Sequence, residues 1–280
     1  MKQRVRASAV CEAEGRLLLV RLRDPVTRVE ALYPPGGGVE PGEPPDETAR
    51  RETLEETGVR VRVDPRLVLV DRYPFTWAGV DYDVTTHYFA ATPETPPAEL
   101  PKVIDAEYNL GAVWMPTNDG LEALEVHPAI ATSASRVVRQ MRVVEWTRHP
   151  NFAGPASMLL GIHDQFRRAA EHVASFDQRE QIGRAFGPLS RALHHHHHAE
   201  EAMLFPLIER STGIAPTRLV SDHETLTDAI TVVEEAPTKE ASARFARVLG
   251  DHLDREELLV VPVLLSLAPA EAWATIDGVR

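Results

Sequence analysis

Residues 37–59 read GGVEPGEPPDETARRETLEETGV. Pro44 and Pro45 can open a helix, and Gly58 can close it in the left-handed conformation of a C′ position, so a helix is expected over Pro45–Thr57. On that helix Glu52, Glu55 and Glu56 stand at i, i+3 and i+4 and share one face. Three crowded carboxylates repel one another unless a cation neutralises them, and hard oxygen ligands select Mg2+ or Mn2+. Glu43 and Arg51 can form an ion pair that ties the preceding loop to the helix. A solvated acidic helix is the plainer reading, but it accounts for neither the glycine-rich approach nor the Arg51-Glu52 step.

The stretch resembles the Nudix hydrolase signature, G-x5-E-x7-R-E-U-x-E-E-x-G-U with U a bulky apolar residue. Gly37, Glu43, Arg51, Glu52, Glu55, Glu56, Gly58 and Val59 match it, and Thr53 departs from it at the first U position. The resemblance implies an α/β/α sandwich and Mg2+-dependent (or Mn2+-dependent) hydrolysis of a nucleoside diphosphate linked to another moiety. It implies catalytic and metal-binding roles for Glu52, Glu55 and Glu56, with Glu56 the best single candidate, and a catalytic role for Arg51. Glu43 becomes a supporting ligand or an orienting partner for Arg51, and Gly37 and Gly38 contact the substrate. An acidic base outside the helix is also expected; Glu94, Glu99, Asp105 and Glu107 are placed for it, and spacing singles out none of them.

A chain of 280 residues with 43% hydrophobic and 26% charged content accommodates two globular domains. Its net charge of −12 argues against a general nucleic-acid binder. The single cysteine, Cys11, excludes an intrachain disulfide framework and fits a reducing compartment. MKQRVRASAV is too short and polar for a secretory signal, and the apolar run Leu258–Leu267 contains Pro262 and is too short to span a bilayer. A cytoplasmic protein with no membrane partner is expected; nothing in the sequence speaks to oligomeric state.

Strand patterns occur at Arg4–Val10, Arg16–Arg23, Val59–Val63, Leu67–Arg72, Tyr82–Ala91 and Gly111–Met115, with a second helix over Ala129–Gln140. Thr92–Pro101 holds four prolines and reads as a loop. Strands around one central helix, closed by another, suggest an α/β sandwich. Tyr73, Phe75 and Tyr82 read as packing residues, Trp77 as a candidate to stack on a base, and His87 as structural. Arg21, Arg23 and Arg28 could meet phosphates but read more simply as solvated surface. Val143–Pro155 has no clear period, and a domain boundary is placed there, giving domains 1–147 and 148–280.

The second half is helical in pattern and repeats itself. Leu193–Ile208 aligns with Leu249–Leu264 without a gap, pairing His196 with His252, Glu200 with Glu256, Glu201 with Glu257 and Pro206 with Pro262. In each copy His and Glu stand at i and i+4 on a stripe that is otherwise apolar, where they need partners. His163 and His223 lie on the helices preceding the two copies. Four helices supplying His163, His196, His223, His252, Glu200 and Glu256 make a dinuclear site, and imidazole with carboxylate suits iron, manganese or zinc. His195, His197, His198 and His172 are candidates for a further ligand, His172 reading as surface. A one-residue slip, to His197 and Glu201, stays open. The five-histidine run His194–His198 looks like an affinity tag, but it continues into AEEAMLFPLIER and reads as native sequence.

This half resembles the hemerythrin-like HHE cation-binding domain, an all-α four-helix bundle, and the EE-x-x-L-F-P ending of Glu200–Pro206 is typical of it. That resemblance implies a non-haem di-iron centre with bridging glutamates, and O2, NO or redox state as what it senses. The whole chain then reads as a Nudix hydrolase joined to a di-iron sensor. The alternative is a metal-binding sensor or storage protein whose Nudix fold only binds a nucleotide.

Overall fold

The computed structural model describes residues 1–97, 100 and 108–277, and divides into two compact units, Met1–Met141 and Arg142–Arg280.

The first unit is built on β1 (Lys2–Ala13), β2 (Arg16–Arg23), β3 (Glu30–Tyr33), β4 (Gly36–Gly38), β5 (Val61–Trp77), β6 (Val80–Pro93) and β7 (Asn109–Pro116). The order is β3-β2-β1-β6-β5, with β4 paired to β1 and β7 to β2. β1 and β6 run parallel; the other pairs are antiparallel. Side chains alternate across a strand, and β1 uses both faces. Ala7, Ala9 and Cys11 pack with Ala49 of α1 (Pro45–Thr57). Ser8 faces a small cavity that it shares with Tyr73, Tyr88 and Ile130 of α3 (Pro128–Trp146). Helices on opposite faces of the sheet make an α/β/α sandwich. The short helix α2 (Thr117–Ala123) and a 3-10 turn, Leu124–Val126, complete the unit.

The structure departs from the sequence pattern at four places. Val59–Val63 and Leu67–Arg72 belong to one strand, β5, which passes Pro65 through a bulge between Asp64 and Val68. β3 and β4 were not expected; β4 is three glycines whose strand character comes only from pairing with Arg6, Ala7 and Ser8. β6 extends to Pro93, into the proline-rich stretch read as loop. α3 continues through Trp146, into the segment read as lacking a period.

The second unit contains α4 (Pro155–Ala174), α5 (Arg179–Ala199), a π-helical turn (Glu200–Leu204), α6 (Phe205–Thr212), α7 (Thr217–Glu235), α8 (Lys239–Ser266) and α9 (Pro269–Asp277). The bundle core is assembled from helix-spaced residues: Phe166, Ala170 and Val173; Ile182, Phe186, Leu189 and Leu193; Leu226, Ala229, Ile230 and Val233; Phe245, Leu249 and Leu253. The four stripes continue past this apolar zone into His163, His196, His223 and His252. Pro262 lies inside α8 without ending it, whereas its counterpart Pro206 sits in the first turn of α6, directly after the π-helical turn.

Candidate functional site

In the first unit the local sequence fixes α1 at both ends. Pro45 occupies the first turn, and Gly58, at φ 73°, donates its N–H to Leu54 O. The departure at Thr53 is accommodated on the buried face: its hydroxyl donates to Ala49 O at 2.7 Å and the side chain is fully buried. Arg51 is the hub of the acidic face. Its Nε and Nη2 donate to Glu43 at 2.9 and 3.0 Å, and Nη1 donates to Glu52 at 2.9 Å and Glu55 at 3.3 Å. Arg51 and the Thr48 hydroxyl hold the Glu43 carboxyl down at about 2. Both Glu43 oxygens are therefore engaged, which suits an orienting partner. Glu55 is the most exposed of the three helix carboxylates.

Glu56 points the other way, into the fold, and accepts the Gly36 N–H at 2.9 Å. Burial pushes its carboxyl up to about 7, with Glu52 and Glu55 adding to the shift against Gly36 and Arg6. Glu52 and Glu56 line a cavity of about 250 Å³ together with Gly36, Gly37, Gly38, Arg4 and Arg6. Its far wall is Leu22, Tyr33, Phe75, Trp77 and Tyr108. Phe75 and Trp77, on one face of β5, are nearly parallel with centroids 6.4 Å apart. Tyr33 meets both edge-on and bonds His127 Nε2 at 2.7 Å.

The cleft thus contains Trp77, Gly37 and Gly38 from the sequence analysis, takes in Phe75, which the sequence pattern assigned to packing, and adds Arg4, Arg6, Tyr33 and Tyr108. Arg4 and Arg6 stand two apart on β1, but alternation alone does not say which end of a strand meets a glycine edge. Arg23 pairs with Glu30 away from this cavity's lining, and Arg21 and Arg28 are exposed and do not line it either. His87 stacks on Phe89. Glu94 is exposed; Glu99, Asp105 and Glu107 lie outside the described residues.

Two adjacent glycines carry different constraints, which two alanine variants separate. A Cβ at Gly36 would fall 2.4 Å from the backbone oxygen of Ala7, and one at Gly37 would fall 2.2 Å from the Glu52 carboxylate. Gly36→Ala is expected to cost stability, about 1–3 kcal/mol in denaturant unfolding, because the sheet backbone must yield. Gly37→Ala should leave stability nearly unchanged while lowering activity, because a flexible carboxylate is what moves.

In the second unit, the sequence-selected residues converge. His163, His196, Glu200 and Glu256 offer ligand atoms within 4.8 Å of one another, and so do His197, Glu200, His223 and His252. Glu200 belongs to both groups. Its Oε1 lies 2.5 Å from His196 Nε2 and 3.7 Å from His163 Nε2, and its Oε2 lies 3.4 Å from His223 Nε2. Glu256 Oε2 stands between His163 and His252, at 3.4 and 3.6 Å.

How both His196 and His197 turn inward follows from helix geometry. At about 100° per residue, the stripe of Ile182, Phe186, Leu189, Leu193 and Glu200 runs midway between the two histidines. Both histidines of the open register therefore lie beside Glu200, while Glu201 is 49% exposed. Of the other candidates for an extra ligand, His195, His198 and His172 belong to neither group.

Carboxylates fix the ring orientations from behind. Glu257 accepts from His163 Nδ1 at 3.0 Å, and Glu201 accepts from His223 Nδ1 at 2.7 Å, leaving each Nε2 facing inward. Arg167 in turn bonds Glu257 and Asp254, both at 2.7 Å. The repeat therefore has a division of labour: the first Glu of each pair enters the centre, and the second orients a histidine of the other helix pair. Sequence alignment matched Glu201 with Glu257, but the task of each needs a contact across helices.

The charges are strongly coupled. Burial opposes charging of His163 and His223, but Glu200 with Glu257 or Glu201 outweighs it and raises both. Against the same burial, His163, His196 and His223 hold Glu200 well below the usual carboxylate range. Burial, with Glu200 nearby, keeps Glu256 well above it. His197 is pushed down to about 3 by burial and then by His223, so it is neutral with its lone pair available. His197 Nε2, His223 Nε2, His252 Nε2 and both oxygens of Glu200 and Glu256 are buried without a hydrogen bond. Such atoms are costly to bury unpaired, and a set of imidazole nitrogens and carboxylate oxygens aimed at common points fits metal ions.

Comparison with known proteins falls along the same division. The NUDIX domain family model matches residues 1–137, and the hemerythrin HHE cation binding domain model matches residues 155–264. No curated protein matches. A NUDIX hydrolase from Nitrosomonas europaea is 25% identical, over 51% of this chain and 90% of that one, at a TM-score of 0.38. An Ap4A hydrolase from C. elegans is 17% identical over 50% and 98%, at 0.39. A MutT NUDIX hydrolase from Burkholderia pseudomallei is 21% identical over 44% and 99%, at 0.32.

Proposed function

We propose a two-part activity for this chain, whose residues 1–137 match the NUDIX domain model and whose residues 155–264 match the hemerythrin HHE cation binding domain model. The first part is Mg2+-dependent cleavage of a pyrophosphate bond in a nucleoside-diphosphate-type compound. The second is a two-iron, non-haem centre that reports O2, NO or redox state. The observation that carries the first part is the convergence of Glu52, Glu56, three glycines and two arginines in one cleft beside an aromatic wall.

Glu52, Glu55 and Glu56 would hold the divalent ions, which neutralise pyrophosphate oxygens and activate water. Arg51 sets the directions of Glu52 and Glu55, and Glu43 anchors Arg51. Arg4 and Arg6 offset phosphate charge, and the small profile of Gly37 and Gly38 lets phosphate oxygens come close. Phe75, Trp77 and Tyr33 offer faces and edges to a planar base. In the bundle, His163, His196, Glu200 and Glu256 would hold one ion, and His197, His223 and His252 with Glu200 the other.

The test is release of phosphate-containing products from a panel of nucleoside-diphosphate-linked compounds by the full chain, with Mg2+, with Mn2+ and with chelator. No turnover on any member, with binding retained, would favour the nucleotide-binding alternative. Control of one unit by the other is tested with the same assay at full and zero iron loading, oxidised and reduced. Equal rates would mean two independent activities.

Metal binding should also depend on pH in a defined sense. In the metal-free cleft Glu56 keeps its proton up to about 7, and only the carboxylate is a ligand. Mg2+ affinity is therefore expected to rise between about pH 6 and 8, with proton release on binding at the low end and almost none at the high end. Calorimetric titrations in buffers of different ionisation enthalpy measure this; a flat affinity would remove Glu56 from the ligand set.

A further inference from the structure

The five-histidine run is only partly used by the buried centre. His196 and His197 turn inward, while His194, His195 and His198 are exposed. α5 is regular through Ala199, so His194 and His198 stand one turn apart at i and i+4. At about 100° per residue they lie about 40° apart on the face away from the core. Side chains so placed have Cβ atoms about 5–6 Å apart, close enough for two imidazoles to share one ion at about 2.0–2.1 Å from each nitrogen. His195 lies about 100° round from His194 and about 60° from His198, so it can approach one member of the pair but not both.

We propose that His194 and His198 form a second, solvent-facing metal site that captures a divalent transition ion and supplies the buried centre. Two imidazoles favour Zn2+, Ni2+ or Cu2+ over Mg2+. Two ligands and open water positions make the hold weak, and Arg191, exposed a turn earlier, weakens it further. A weak hold suits a site that must release its ion. The way inward is short in sequence. His197, next to His198, is a member of the buried group; Glu201, one turn on, is half exposed and bonds His223 Nδ1. The supply step rests on the proposed metal centre, whereas the surface site does not.

The two are separated by experiment. In full-length Glu200→Ala protein, where the buried centre is disabled, Ni2+ titration should show one weak equivalent. Adding His194→Gln and His198→Gln should remove that equivalent or weaken it by at least about 10-fold, while His195→Gln and His172→Gln leave it in place. Unchanged titration in the double substitution overturns the surface site. With Glu200 intact, the His194→Gln/His198→Gln protein should load the buried centre several-fold more slowly at limiting Zn2+, yet reach the same final metal content. Equal loading rates overturn the supply role. A lower final content would also overturn it, since the pair would then be part of the centre. Circular dichroism of each variant guards against misfolding, and a centre that never loads in wild type would count against the proposed centre, not the surface site.

Discussion

Glu200→Ala is expected to empty both metal positions of the helical unit, where loss of a single histidine weakens chiefly one. The reason is the placement of its two oxygens, Oε1 toward His196 and His163 and Oε2 toward His223. Elemental analysis after loading should fall from about two ions per chain to nearly none. His252→Ala, which touches one group only, should retain the ion held by His163 and His196. Thermal unfolding gives an independent reading. A ligand bound only to the folded state at a hundredfold excess over its Kd contributes about 2.7 kcal/mol, so wild type should gain stability on loading and Glu200→Ala should gain almost none. Retention of both ions by Glu200→Ala would mean that Glu256, also placed between the groups, is the sole bridge.

Glu56→Gln should reduce hydrolysis more than any other single change in α1, by more than the roughly 10–100-fold that losing an outer partner of a metal ligand costs. The amide oxygen can still accept the Gly36 N–H, so the fold should survive. Its stability should change with a definite sign. The Glu56 carboxyl titrates at about 7 in the fold, above its ordinary value. Its neutral form is therefore favoured by folding, and stability is lost as pH rises through 7. The Gln variant should be more stable than wild type above pH 7 and lose that advantage toward about pH 5. Glu55→Gln, altering a carboxylate that is 59% exposed, should have the smallest effect on rate. Steady-state kinetics at saturating Mg2+ measure the order; equal rates for Glu56→Gln and wild type would remove Glu56 from catalysis.

What could be read from the sequence was what is settled locally or by period. α1 begins and ends where Pro45 and Gly58 place it, because caps act within a turn. The four bundle stripes and the His/Glu spacing follow from 3.6-residue periodicity. What could not be read depends on partners far along the chain. Gly36–Gly38 has no strand propensity of its own and becomes a strand only against β1. Arg4 and Arg6 become cleft residues through that same pairing. β5 looked like two strands because its bulge falls at Pro65. His197 was one of four candidates for a further ligand, and periodicity could not select it beside His196, since two adjacent residues are normally assigned to different faces. Glu257 is fully buried and is met by His163 and Arg167, more than eighty residues earlier.

The exchange between helix pairs has a further meaning. Glu201 steadies a histidine from α7, and Glu257 steadies one from α4. Each half of the bundle thus keeps the other half's ligand in working orientation, although each carries nearly the same set of residues. A half on its own would own its histidines yet lack the brace for them. Metal capture is therefore a report that all four helices have closed together, and an ion lodged in the centre certifies an assembled bundle, not a partly formed one.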